Sequence, residues 1–248
     1  VPGMLPSLLI IAVVLAFWEV VTRLELYPDF IVPPPAAVWD KFLVVAGDGR
    51  LWLHLSTTLT EIVLGLLIGI PFGLSLGYAL AKSRLLEAFV SPLVLAAQST
   101  PVVAYAPILV IWFGTGLESK VFICALIVFF PMLLNTLVAV RGVPEPERDV
   151  LRTYSASRWQ TLTRLEIPAS LPILFGGLRI SATLAVIGAV VGEFISANAG
   201  LGFWIKLARD QYDTALVAVA VITLAVLARV LYGLVSVAER LLVRGRRT

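Results

Sequence analysis

Few side chains in this sequence could do chemistry, and most of those lie in apolar surroundings. The 248-residue chain has one Cys, Cys124, and one His, His54. No disulfide can close within it, and a zinc site built on His and Cys lacks ligands. His54 sits among loop residues, which speaks against a buried Ser-His dyad. No G-x-x-x-x-G-K-[S/T] loop occurs, so the chain has no phosphate-binding loop of that kind of its own. What remains is a set of polar groups inside apolar stretches: Glu61, Gln98, Ser99, Thr100, Asn135, Arg179, Glu193 and Arg229. Such groups are costly at membrane depth, so each needs a reason. On one reading Gln98, Ser99, Thr100 and Asn135 line a solute path and Glu193 stands near its outer end, because broken helices expose backbone to a cavity. On the plainer reading Arg179 and Arg229 pack or snorkel, and Glu61 and Glu193 are structural hydrogen-bond partners. Arg179 lies eight residues past Leu171, and Asn135 six before Arg141, so they stand about 12 and 9 Å from one membrane face.

The elements that must position these groups are membrane helices. Hydrophobic residues make up 59% of the chain and charged residues 14%, against about 25% charged in a soluble domain. Mean hydropathy is +0.97, so a water-covered surface is excluded. A span takes about 20 apolar residues. Six apolar stretches meet this: about Met4 to Thr22, Ser56 to Ala81, Leu85 to Phe113, Ser119 to Val140, Leu171 to Phe194 and Thr214 to Leu242. Ser99-Thr100-Pro101 interrupts the third, which reads as one broken span or two half-helices. The first lacks a basic start and a small-residue cleavage pattern, so it reads as an anchor and not as a signal peptide. Gly65, Gly69, Gly73 and Gly77 form a stripe suited to close helix packing. The predicted fold is all-α and polytopic, with about six transmembrane helices in one membrane domain over residues 1–248.

Lys and Arg placement sets the orientation. Eleven of the 19 lie on one side: Lys82, Arg84, Arg141, Arg148, Arg152, Arg158, Arg164, Arg240, Arg244, Arg246 and Arg247. That side is expected to be cytoplasmic, with both termini on it. The external segment from Arg23 to Leu55 carries Pro33, Pro34 and Pro35. These lead into a short amphipathic helix whose Trp39 and Phe42 suit the interface. A second external segment, Ile195 to Asp213, is broken at Gly200 and Gly202 and reads as a short re-entrant or surface helix. The cytoplasmic connection, Arg141 to Ser170, is the most informative. Pro144 and Pro146 close the preceding span, and Asp149 to Tyr154 reads as helix. Ser155 or Ser157 can N-cap a second short helix ending before Pro168. Such a charged pair of helices, bearing Trp159, is a poor lipid face and a good docking element; a plain connecting loop is the alternative.

This connection resembles the signature loop of type I ABC importer permeases, the binding-protein-dependent inner-membrane subunits. Their E-A-A, three residues, G, nine residues, I-x-L-P pattern falls on Asp149-Val150-Leu151, Ser155 and Leu165-Glu166-Ile167-Pro168. The spacing agrees, and Ser155 in place of Gly is the main departure, since Gly permits positive φ at the turn. Leu171-Pro172 through Gly176-Gly177-Leu178-Arg179, Gly188 to Phe194, Gly200-Leu201-Gly202, Gln98 to Pro101 and Pro107 to Gly114 are similar to the subgroup that serves nitrate, sulfonates, taurine and vitamin precursors. The resemblance implies a MetI-like fold with a coupling loop at 149–168 and no enzymatic activity in this chain. It implies coupling contacts at Ser155, Ala156, Ser157, Arg158, Trp159 and Thr161. The implied partners are an ATPase subunit carrying ATP and Mg, a second permease, expected as a homodimer, and an extracytoplasmic solute-binding protein. Membrane lipid is the solvent, and no nucleic acid or bound cofactor is expected. The implied function is solute import at the inner membrane, leaning to riboflavin or a pyrimidine or thiamine precursor, then sulfonate, taurine or nitrate. A stand-alone secondary transporter is the alternative, although no clear internal repeat supports it.

Overall fold

The computed structural model describes Met4 to Val243, with side chains from Leu9 onward; Arg244, Arg246 and Arg247 of the predicted basic end lie outside the described residues. All regular elements among the described residues are helical. They are α1 (Met4–Arg23), α2 (Pro35–Gly47), α3 (Arg50–Lys82), α4 (Arg84–Ser99), α5 (Val102–Phe113), α6 (Leu117–Arg141), α7 (Glu145–Thr153), α8 (Arg158–Thr161), a π turn (Leu162–Glu166), α9 (Ile167–Ser196), α10 (Leu201–Asp210) and α11 (Thr214–Val243). Four stretches are long and apolar enough to cross a membrane: α3, α6, Arg158–Ser196 and α11. The pair α4 and α5, bent by 98°, gives a fifth if it counts as one span. The bend falls at Ser99, Thr100 and Pro101: Pro101 forces Thr100 out of helix, to φ −87° and ψ 122°. The predicted anchor falls on the 20-residue α1, which is not among these stretches, so four or five of the six expected spans are found among the described residues.

The chain divides into two units. The first comprises residues within Val1–Thr57 and Asn198–Ala225. Here Pro35 starts α2 at its first turn, where a missing N–H costs nothing. Val38, Val45 and Leu51 are buried with Leu201, Trp204, Ala208 and Leu216. Lys41 pairs with Asp213 at 2.7 Å, and Trp18 donates to the Pro33 carbonyl at 3.0 Å. His54 stacks on Trp204, centroids 4.6 Å apart, and its Nδ1 accepts from the Gly200 N–H at 3.0 Å. His54 is therefore part of the packing. At the start of α3 the Arg50 guanidinium hydrogen-bonds Asp48 and holds that carboxyl below its usual range. Trp39 is exposed and stacked on Phe42.

The second unit comprises residues within Thr58–Ala197 and Val226–Thr248. Its centre is α6, whose Ile123, Cys124, Val128, Met132 and Leu133 are buried. Glycines on both neighbours let backbones approach it. On α3 a Cβ at Gly73 would lie 2.7 Å from Met132 Cβ, and one at Gly77 2.8 Å from Thr136 Cβ. On α9 a Cβ at Gly188 would lie 2.9 Å from Cys124 Cα. The glycine stripe is thus a packing surface. Ala106 and Leu109 of α5 bury against Ile123, and Arg141 at the end of α6 clamps Glu87 of α4 at 2.5 Å.

Two local expectations are corrected. Pro146 does more than close a span, because it sits in the first turn of α7, which starts at Glu145. The second short helix does not end before Pro168 either: it continues through the π turn into α9. In that turn the Ile167 N–H reaches the Leu162 carbonyl, five residues back. The wider turn moves backbone carbonyls away from the Pro168 ring, so the helix need not stop.

Candidate functional site

The segment from Glu145 to Glu166 is two short helices held by a defined turn. The α7 helix carries Glu145 and Glu147 in its first turn and Arg152 in its last, matching the helix dipole. It closes with Ser155 at φ +51°. The Ser155 N–H bonds the Arg152 carbonyl at 2.9 Å and the Ala156 N–H bonds the Leu151 carbonyl at 3.0 Å, the two bonds of a Schellman ending. The position where the resemblance puts Gly therefore keeps the left-handed backbone with a side chain on it. Ser157 then opens α8 with a capping box. Its Oγ accepts from the Gln160 N–H at 3.2 Å, and Gln160 Oε1 accepts from the Ser157 N–H at 2.8 Å. The Thr161 hydroxyl donates to the Ser157 carbonyl at 3.1 Å.

The predicted coupling residues thus divide into two groups. Ser155, Ser157 and Thr161 shape the backbone. Ala156 is half-buried. Arg158 and Trp159 project outward, Trp159 being 71% exposed, with Tyr154 and Val150 exposed nearby on α7 and the turn after it. Apolar and aromatic area of this kind on a charged helix pair has the composition of a protein contact.

Glu166 fixes this element to the membrane helices. It is 1% exposed. It accepts from Lys82 Nζ, and the Tyr78 hydroxyl, also on α3, donates to it at 3.2 Å. Arg148 Nη2 lies 3.6 Å from it and also donates to the Val140 carbonyl at 2.6 Å. One carboxylate therefore ties α7, α3 and the π turn together. Sequence reasoning missed this cluster. Lys82 and Arg148 read only as orientation charges, and Glu166 only as a variable position before the terminal Pro. No local signal shows that the three converge, since Lys82 and Glu166 are 84 residues apart.

The predicted path residues fall in separate settings. Gln98, Ser99 and Thr100 stand exposed at the α4–α5 bend. Ser99 and Thr100 donate to the carbonyls of Leu95 and Ala96 at 2.7 and 3.2 Å. The Asn135 amide donates to the Pro131 carbonyl at 2.8 Å, and its side chain fills the space left by Gly177. Glu193 is buried and accepts from the Thr58 hydroxyl at 2.6 Å; Glu61, one turn along α3 from Thr58, is equally buried.

Fold and site together define a polytopic all-α membrane protein with a short charged helix pair between two of its long apolar helices. Residues 69–247 match the family described as the binding-protein-dependent transport system inner membrane component. The chain belongs to that family, and it is an ABC importer permease subunit. It is 45% identical to the riboflavin transport system permease protein RibX of Chloroflexus aurantiacus, over 93% of this chain and 86% of that one. It is 33% identical to the taurine transport system permease protein TauC of Escherichia coli, over 93% and 86% respectively. The fold is similar to a chain of the inward-facing MetNI methionine ABC transporter, with TM-score 0.61 and 22% identity, over 82% of this chain and 95% of that one. In this family ATP is hydrolysed by a separate subunit and solute is delivered by a binding protein, so the stand-alone transporter reading is set aside.

Proposed function

We propose that this permease imports riboflavin or a closely related vitamin precursor, as one of two identical copies above a pair of ATPase subunits. The observation that carries the substrate is the 45% identity to a riboflavin permease over nearly the whole chain. A pyrimidine precursor of thiamine, a sulfonate, taurine and nitrate are the next classes in order. The loop from Glu145 to Glu166 lies on the cytoplasmic side with both termini, in keeping with its share of Arg. There Trp159 and Arg158 enter a cleft of the ATPase, which holds ATP and Mg.

The mechanism is a lever. ATP closes the ATPase pair, the docked elements approach one another, and the spans rock between inward-open and outward-open states. The lever must be stiff for this to work. The capping box and the Glu166 cluster supply stiffness at its two ends, and the unbroken run from α8 into α9 carries the motion into the membrane. The exposed Gln98, Ser99 and Thr100, with Asn135, contact solute along the path, and Glu193 braces its outer end.

The test is uptake by proteoliposomes holding the permease, its ATPase and its binding protein. Labelled riboflavin should accumulate only with ATP and should be displaced by unlabelled riboflavin but not by taurine. Accumulation of taurine without riboflavin would overturn the substrate and leave the permease role standing.

A further inference from the structure

Three arginines on α9 and the second half of α11 have no part in the function above. We infer that they hold the phosphate of an anionic phospholipid. Arg229 lies near the middle of the 30-residue α11 and is exposed. Among the described residues no carboxylate lies within ion-pair distance of it or of Arg240. A guanidinium inside a span without a counter-anion is costly, so an anion from outside the chain is called for.

The direction of Arg229 says where that partner lies. Helical side chains ordinarily lean toward the helix N-terminus. Arg229 instead reaches toward the C-terminal end of α11: its guanidinium stands 5.7 Å from the Tyr232 ring centroid, and a Cβ on Gly233 would be 3.6 Å from its Nη1. Gly233 leaves the room for this. Arg179 reaches the same ring from α9, at 5.9 Å, and pairs with Glu239 at 3.3 Å. Of the three arginines only Arg179 is paired with a carboxylate, so the charge of Arg229 and Arg240 remains for a phosphate.

The space beside them is graded in polarity. One cavity of about 360 Å³ is lined by Gly176, Ile180, Leu184 and Tyr232 with Arg179. A second, of about 380 Å³, shares Arg179 and Tyr232 and adds Ser236, Glu239 and Arg240. The apolar part lies deeper in the span and the polar part toward the basic end of α11. An amphiphile fits this order, with its phosphate among Arg179, Ser236 and Arg240 of the polar cavity, Arg229 reaching toward it over the Tyr232 ring, and its acyl chains along Ile180 and Leu184. A soluble phosphate would find nothing to bind in the apolar half. Basic pockets between spans on the cytoplasmic side take lipid headgroups for the same reason.

The test is native mass spectrometry of the intact transporter, permease with its ATPase, titrated in detergent with phosphatidylglycerol or phosphatidylcholine. The wild type should retain phosphatidylglycerol at least tenfold better. Arg229→Gln with Arg240→Gln should bring the ratio to within twofold, and Arg229→Lys should keep it. Glu239→Gln releases Arg179 and should raise phosphatidylglycerol retention severalfold, a gain that misfolding cannot mimic. Equal retention of the two lipids by the wild type, or an unchanged ratio in the double variant, would overturn the inference. Displacement of the lipid by millimolar glycerol 3-phosphate would make it a soluble-anion site instead. None of these readings depends on transport.

Discussion

Replacing Glu166 with Gln should loosen the docking element without unfolding the membrane helices. The amide keeps the shape of the carboxyl and removes its charge. Lys82 Nζ loses a charge-assisted bond, and Arg148 loses its 3.6 Å partner. Removing one partner of a fully buried pair costs about 3–5 kcal/mol. Here the side chain of Lys82 is 38% exposed and can take up water, and Arg148 keeps the Val140 carbonyl. The cost should therefore fall to about 2–3 kcal/mol, near that of one or two hydrogen bonds to charged groups. That is about 30- to 150-fold in the local opening equilibrium. Hydrogen exchange of the reconstituted transporter reads this directly. Amides from Arg158 to Glu166 should exchange faster by that factor, while those in the centre of α6 do not change. ATP hydrolysis should persist while uptake per ATP falls. Exchange unchanged in the loop would refute the reasoning. So would a Lys82→Met, Glu166→Gln pair whose effect is the sum of the single effects, because residues sharing one ion pair must couple.

Other outcomes follow from the same geometry. Trp159→Ala should weaken retention of the ATPase during purification by roughly 30-fold, as expected for a central aromatic anchor worth about 2 kcal/mol; co-elution at full ratio would count against docking there. Ser155→Gly should slow exchange at the α7 end: relief of a left-handed non-glycine residue is worth about 1–2 kcal/mol, less about 0.5–1 for the freedom Gly gains when unfolded. Faster exchange would show that the Ser hydroxyl holds the turn. Gly73→Val must push α3 from α6, since even a Cβ there lies 2.7 Å from Met132. Overpacking of this kind costs about 1–3 kcal/mol and should lower the thermal midpoint in detergent; an unchanged midpoint would mean the helices are not packed this tightly.

Much of this architecture was legible because it follows from local rules. The apolar stretches became helices, Pro35 opened α2, and Ser157 became an N-cap with Gln160 completing the box. The break at Ser99-Thr100-Pro101 appeared as a sharp bend. The misreading at Pro168 came from a rule that holds for an α-helix and fails across a π turn, which a proline pattern does not announce. Glu166 was opaque for a different reason. In the run Leu165-Glu166-Ile167-Pro168 it stands only at the variable position of the pattern, and contacts with residues far off in the chain bury it. The meeting of Arg179, Tyr232 and Arg229 likewise depends on how α9 and α11 pack, which spacing within either helix does not encode.

The most direct test of the central claim is a cross-link from the docking helix. Trp159→Cys places one exposed thiol on α8, while the native Cys124 is buried and will not compete. With a short bifunctional reagent in native membranes, the account predicts a product joining the permease to a P-loop ATPase, lost when Arg158→Glu is added. A thiol at 159 that is fully labelled yet joins no ATPase would contradict the account.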